Sequence, residues 1–171
     1  YYKHDNIGLT KTLNKAISKS TTDYIVRQDA DDLSNKNRIL KQMDEFKKND
    51  KLILCGSNGI IIDDNDKIIN KTNLPTSNFK IKKKMYSQNC IIHSSVIFKK
   101  KYFSKVKGYD ENYKFGQDYN LWCKMSSQGE YKNLKEYLIY CRNHANNISN
   151  RHRNDQTKYE ISTILQYHKA N

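Results

Sequence analysis

A chain of 171 residues is long enough to bury a core and short enough to be a single domain. Its formal charge of +13, with a pI near 9.5, would suit an anionic partner. The lysines are scattered, however, and only Lys82-Lys83-Lys84 and Lys99-Lys100-Lys101 form runs, the pattern of solvated faces more than of a nucleic-acid footprint. No apolar run of about 18 residues is present and Tyr1 opens a polar loop, so the expectation is a soluble piece of a longer protein, without membrane span or signal peptide.

In chain order, Leu9, Leu13, Ala16 and Ile17 recur at helical spacing and predict an amphipathic helix from Gly8 to Lys19. Tyr24 to Gln28 reads as a short buried strand running straight into Asp29-Ala30-Asp31-Asp32. Ser34 is placed to cap a helix with Ile39, Leu40, Met43 and Phe46 on one face, which leaves the acids in a strand-to-helix loop. Leu52 to Cys55 predicts a second strand. Gly59 to Ile62, the polar turn Asp63-Asp64-Asn65-Asp66 and Lys67 to Ile69 predict a hairpin. Pro75 marks a loop before a helix from Ser77 to Tyr86, and Ile91 to Phe98 approaches a strand. After the turn at Gly108 to Glu111, Asp118 opens a helix with Tyr119, Trp122 and Met125 on one face. Leu134 to Tyr140 is the last strand, and a final helix is expected around Tyr159 to Tyr167. Strands alternating with helices indicate an α/β layer fold, whose ligands sit beyond the carboxyl ends of the strands.

The cluster after the first strand carries the most chemistry. Three carboxylates within four residues repel one another, and a hard divalent cation such as Mg²⁺ or Mn²⁺, typically one that carries a phosphate, would let them coexist. The plainer reading is that aspartates suit turns and helix caps. A calcium loop starting at Asp29 fails, because its sixth residue is Ser34 and its twelfth Leu40. The hairpin acids are what a tight turn requires in any case. Cys55, Cys90, Cys123 and Cys141 have no zinc spacing and read as reduced cysteines in a cytoplasmic setting.

Taken together, these pieces resemble the family 2 glycosyltransferases, inverting enzymes of the GT-A fold that use nucleotide-sugar donors. Asn6-Ile7-Gly8-Leu9 with Leu13-Asn14-Lys15-Ala16-Ile17 resembles the family's N-x-G-L...LN-x-A-I helix. Tyr24 to Asp32 resembles its strand carrying the DxD motif, with Arg38 and Gln42 matching the helix that follows. His93 to Phe98, Gly108-Tyr109-Asp110-Glu111 with Gln117 to Trp122, and Tyr140 to His144 are similar to three later family segments, so that the likeness runs over residues 6–149.

The resemblance implies a GT-A type, Rossmann-like mixed sheet flanked by helices and lacking the first strand-helix-strand unit. Residues 1–150 would then form a partial catalytic domain and 151–171 a polar segment, helical in part. It implies that Asp29 and Asp31 touch donor ribose and metal with Asp32 adjacent, that His144 holds metal or diphosphate with Arg142 beside it, and that Asp118 is the general base. The implied cofactor is Mn²⁺ or Mg²⁺, the donor a nucleotide-sugar, foremost a UDP-sugar, and the acceptor a glycan or other hydroxyl. Inverting transfer needs a carboxylate opposite the leaving group and a cation for the departing diphosphate, and one acid cluster plus one distant acid supply both. Gln117 and Asn120 depart from the family's usual Glu and Asp. Two other readings remain at this stage: a non-catalytic GT-A remnant serving as a binding or scaffold module, and a basic nucleic-acid-binding protein. An uncovered sheet edge would favour self-association, and a place at the cytoplasmic face of a membrane fits the family.

Overall fold

The computed structural model describes residues 3, 5–144, 147 and 152–170. Helix α1 (Leu9–Lys19) leads through a polar turn into strand β1 (Tyr24–Val26), the acidic loop and the two-residue strand β2 (Leu33–Ser34). Helix α2 (Arg38–Lys48) and the long strand β3 (Leu52–Ile62) follow, and β3 turns back into β4 (Ile68–Lys71). Helix α3 (Asn78–Met85), strand β5 (Ile97–Lys99), and helices α4 (Lys100–Lys105) and α5 (Gln117–Met125) precede strand β6 (Glu130–Arg142) and helix α6 (Arg153–Ala170).

The strands make one mixed sheet in the order β1-β5-β3-β6-β2, with β4 on the far part of β3. β3 and β6 are parallel, and β5 is antiparallel to both β1 and β3, so β1, β3 and β6 all point their carboxyl ends the same way. That end of an α/β sheet is where ligands bind. As the central strand, β3 is buried almost throughout; the two apolar stretches read separately from the sequence, Leu52 to Cys55 and Gly59 to Ile62, are one strand, with Ser57 and Asn58 buried between them. At Gly56 an added Cβ would lie 2.4 Å from Asn133 Oδ1, so only glycine lets β6 come so close there.

The larger core cluster packs Ile53, Leu54, Phe98, Phe103, Tyr109, Tyr119 and Trp122 on one face of the sheet. A smaller one gathers Phe46, Leu52, Cys55, Ile97 and Leu138 on the other. Each fully buried side chain of this size stabilises the fold by about 1.5–3 kcal/mol. Tyr109, Tyr113, Tyr119, Tyr131 and Tyr167 are buried. All four cysteines are free, and burial pushes the thiols up to about 11 for Cys90 and about 12 for Cys55 and Cys141, so they stay protonated.

Several local expectations are corrected. β1 is half-buried rather than buried, and Val26 is exposed. Ser34 pairs with Ile139 in β2 instead of capping α2, whose N-cap is Asn37. The buried face of α2 is Arg38, Gln42 and Phe46, whereas Ile39 and Leu40 are 49% and 62% exposed. The reason is polar: Gln42 Nε2 donates to the carbonyls of Cys55 and Ser95, both at 2.7 Å, and that bridge fixes which side of the helix faces the sheet. The stretch from Ile91 to Phe98 is not one strand. A 3-10 turn at His93–Ser95 leaves only Ile97–Lys99 as strand. The final helix is longer than its apolar spacing indicates and packs on α5, with Thr163 and Tyr167 buried. Among the described residues no helix is long and apolar enough to cross a membrane.

Candidate active site

The acidic loop is held in place from three directions. Arg38, buried to 1% exposure, donates to Ser34 Oγ (2.7 Å), the Arg27 carbonyl (3.4 Å) and Gln28 Oε1 (3.3 Å). The Gln28 amide donates to the Asp32 carbonyl at 2.9 Å. The pairing of Leu33 with Tyr140 then lays the loop beside the carboxyl end of β6.

The three acids do not converge on one point; each has its own partner. Asp29 forms an ion pair with Arg27 and accepts a hydrogen bond from Ser94 Oγ at 3.1 Å, while its own N–H donates to that hydroxyl at 2.7 Å. Arg27 also donates to Ser94 Oγ at 3.2 Å. Asp31 meets His144 Nε2 at 3.2 Å. Asp32 is buried and accepts the Arg142 backbone N–H at 2.9 Å; burial pushes its carboxyl up, and the Ser94 and Arg142 hydrogen bonds pull it back. Asp32 thus fastens β6 to the loop, and Asp29 and Asp31 are the carboxylates left with exposed area, 44% and 43%. Among the described residues no group of three or more His, Cys, Asp or Glu side chains forms a ready-made metal cage.

The guanidinium of Arg142 reaches across to the β3–β4 turn, donating to the Asp63 carbonyl (2.7 Å) and Asp66 Oδ1 (2.6 Å), while its Nε donates to the Asp31 carbonyl (3.2 Å). The hairpin acids set aside as turn formers therefore hold a site arginine. Nothing in the local sequence signals this, because the contact spans 76 residues.

Asp118 is placed from the opposite side of the sequence. Gly116 adopts a left-handed φ of 64°, which turns the chain into α5, and Leu121 and Trp122 anchor that helix in the core. The Asn89 amide donates to Asp118 Oδ2 at 2.8 Å. Desolvation pushes the Asp118 carboxyl up, with the Tyr119 N–H and the Asn89 amide opposing it. Asn89 has no sequence signal of its own. His93 Nε2 shares a 2.7 Å hydrogen bond with the Tyr109 hydroxyl, joining two of the segments quoted for the resemblance; burial keeps this imidazole neutral, aided by Arg27.

All six residues named from the sequence, Asp29, Asp31, Asp32, Asp118, Arg142 and His144, line one cavity of about 430 Å³. Arg27, His93, Ser94, Phe115 and Gln156 line it too, and sequence reasoning passed over their place there. Its lining brings together carboxylates, an imidazole, an arginine and an aromatic ring. A space of this size with few convergent polar groups is suited to a small-molecule ligand.

This mixed sheet, with a cavity at the carboxyl ends of its parallel strands, is the GT-A type of nucleotide-sugar fold. The family model described as glycosyl transferase family 2 matches residues 1–107, and the chain belongs to that family. It is 32% identical over 139 residues to the O-antigen biosynthesis glycosyltransferase WbnJ of Escherichia coli, covering 80% of this chain and 54% of that protein. It is 31% identical over 169 residues to the E. coli UDP-Gal:alpha-D-GlcNAc-diphosphoundecaprenol beta-1,3-galactosyltransferase, covering 95% and 58%. Among solved structures, the mannosyltransferase PcManGT from Pyrobaculum calidifontis, in complex with GDP-Man and Mn²⁺, superposes with a TM-score of 0.61 at 11% identity, covering 99% of this chain and 46% of that one. The chain spans about half the length of the curated relatives it matches. Asp118, Arg142 and His144 lie beyond the residues that the family model matches.

Proposed function

We propose that the protein transfers a sugar from a nucleoside-diphosphate donor, a UDP-sugar in the first instance, to a glycan hydroxyl with inversion at the sugar, at the cytoplasmic face of a membrane. The observation carrying this is the convergence in one cavity of Asp29, Asp31, Arg142 and His144 with the desolvated Asp118. UDP and a glycan acceptor accord with the name of the galactosyltransferase relative.

Asp31 and His144, with Asp29 in the same cavity, offer the hard oxygen and imidazole nitrogen donors that suit Mn²⁺ or Mg²⁺. Small divalent ions commonly take only one or two protein carboxylates and complete their shell with substrate phosphates, so the lack of a full cage among the described residues fits. Bound there, such an ion would neutralise charge on the departing nucleoside diphosphate.

The chain's own groups do the rest. Arg27 and Ser94 fix the Asp29 carboxylate, so it does not have to be ordered when donor arrives. Asn89 holds one oxygen of Asp118, leaving the other to take the proton of the acceptor hydroxyl. Desolvation makes that carboxylate a stronger base than one in water.

The test is calorimetry with UDP and GDP, each with Mn²⁺ and with chelator. The wild type should bind one nucleotide at least about tenfold tighter with the ion, in the range of losses seen when metal-site groups are removed. Asp31→Asn should abolish that difference while remaining folded. An unchanged metal effect in the variant would reject the assignment.

A further inference from the structure

A second, basic groove lies where β4, β6 and α3 meet, and it shares no lining residue with the cavity described above. It has a volume of about 380 Å³ and runs between Lys80 of α3, Lys135 and Tyr137 of β6, and the loop residues Leu74 and Pro75. The Lys71 ammonium of β4 sits over the Tyr137 ring, 5.6 Å from its centroid, so three lysines border the groove. Its floor is fixed. Asn58 Oδ1 accepts from Thr72 Oγ1 (2.9 Å) and the Leu74 N–H (2.8 Å), and Asn58 Nδ2 donates to the Lys135 carbonyl (3.1 Å). Among the described residues no carboxylate lines the groove, and none of the ion pairs involves Lys71, Lys80 or Lys135. Apolar side chains flank it. Phe79, next to Lys80, is 74% exposed while Ile81 and Met85 hold α3 in the core, and Ile69, on the face of β4 that it shares with Lys71, is 53% exposed.

We propose that this is the surface by which the protein docks on an anionic bilayer, with a lipid headgroup phosphate between Lys71, Lys80 and Lys135 and with Phe79 and Ile69 in the interfacial layer. The assignment gives a surface to the membrane location proposed above and does not depend on the transfer chemistry. Charge complementarity selects the partner. The chain bears a formal charge of +13, and three ammonium groups with no carboxylate among them draw headgroup phosphates. Phe79 and Ile69 stand in water at a cost that insertion at the boundary of headgroups and acyl chains removes. A second copy docking through the same face would bring like charge against like and be repelled. Single-stranded nucleic acid is gripped by successive aromatic rings, whereas Ile69 has no π-face and Tyr137 is already covered by Lys71.

The experiment is co-sedimentation with vesicles of phosphatidylglycerol in phosphatidylcholine and with vesicles of phosphatidylcholine alone, beside anisotropy with a single-stranded RNA oligonucleotide and UDP calorimetry in Mn²⁺. The wild type should bind the anionic vesicles, more weakly as salt is added, and bind phosphatidylcholine poorly. Lys71→Gln, Lys80→Gln and Lys135→Gln should each weaken vesicle binding about fivefold, and about a hundredfold together. Phe79→Ser should weaken it about tenfold. Phe79→Trp should shift its emission to the blue on anionic vesicles, while the buried Trp122 supplies a constant background. Replacing Lys19, Lys101 and Lys105 together by Gln removes the same charge from other exposed positions and should cost far less. Absent vesicle binding in the wild type, equal losses in the two triple variants, or an affinity for RNA alone that the groove variant loses would overturn the docking surface. UDP affinity should be the same in every one of these variants, so that such a failure leaves the transfer reaction standing. Vesicle binding without any UDP binding would sink the transfer reaction and leave the surface.

Discussion

Arg142 at the end of β6 donates to Asp66 at 2.6 Å, and so the β3–β4 turn holds the guanidinium of a residue that lines the candidate site. Asp66 sits at a φ of 63°, a conformation asparagine accepts as readily as aspartate. Asp66→Asn should accordingly fold normally and release Arg142 toward an anionic ligand. UDP affinity should rise about two- to fivefold, the size of an exposed ion-pair effect, and the gain should shrink with added salt. Weaker UDP binding in this variant, measured by calorimetry, would mean that the turn holds Arg142 in its working position.

Asp118→Asn separates base from helix-terminal acid. The amide keeps an acceptor for the Asn89 N–H but cannot take a proton, so transfer should slow by about a hundredfold with donor affinity intact. Transfer within a few-fold of wild type would leave Asp118 a structural role only.

The same residue sets a pH dependence. Its folded-state carboxyl lies above the ordinary value because of desolvation, so folding favours its protonated form. The stability that the proton contributes is present below the unfolded value and lost as pH rises through the folded one; at neutral pH the ionised group is a burden. Asp118→Asn should thus melt higher than wild type at pH 7, with the gap closing toward pH 4. The activity profile should lose its acid limb above the range of an ordinary carboxylate. Equal melting temperatures at pH 7 would show that the charge is better solvated than its surroundings indicate.

Ser94 touches Asp29 through both its hydroxyl roles and also accepts from Arg27, yet it carries no charge itself. Ser94→Ala should weaken metal-dependent UDP binding about tenfold by loosening Asp29, the usual cost of removing such a supporting partner. Calorimetry in Mn²⁺ reads this directly. No change would show that Arg27 alone suffices.

Gln42 is fully buried on α2, where its amide bridges two carbonyls. Gln42→Leu removes the donor to both acceptors and should cost about 2–6 kcal/mol in urea unfolding, at about 1–3 kcal/mol for each buried group stranded. A loss below about 1 kcal/mol would mean the carbonyls find other donors.

Local order was written in the sequence: the helical spacing of Leu13 and Ile17, the two apolar stretches that the fold joins into β3, the strand that delivers Asp29 and the helix that opens at Asp118 all report on residues within one turn or one strand of each other. The family motifs added which acids to watch. What each acid does was decided elsewhere. Asp32 meets Arg142 across 110 residues and Asp31 meets His144 across 113, because β2 pairs with the end of β6. That pairing sends Asp32 inward to a backbone N–H and leaves Asp29 and Asp31 facing the cavity, a division that three adjacent acids cannot show. The buried face of α2 follows the same logic. Its apolar residues suggest one orientation, but Gln42 and Arg38 find carbonyl partners only in the assembled fold. Each buried carbonyl left unpaired costs about 1–3 kcal/mol, whereas Ile39 and Leu40, already partly covered, forgo only part of the roughly 1.5–3 kcal/mol of full burial, and so the polar contacts decide which way the helix faces.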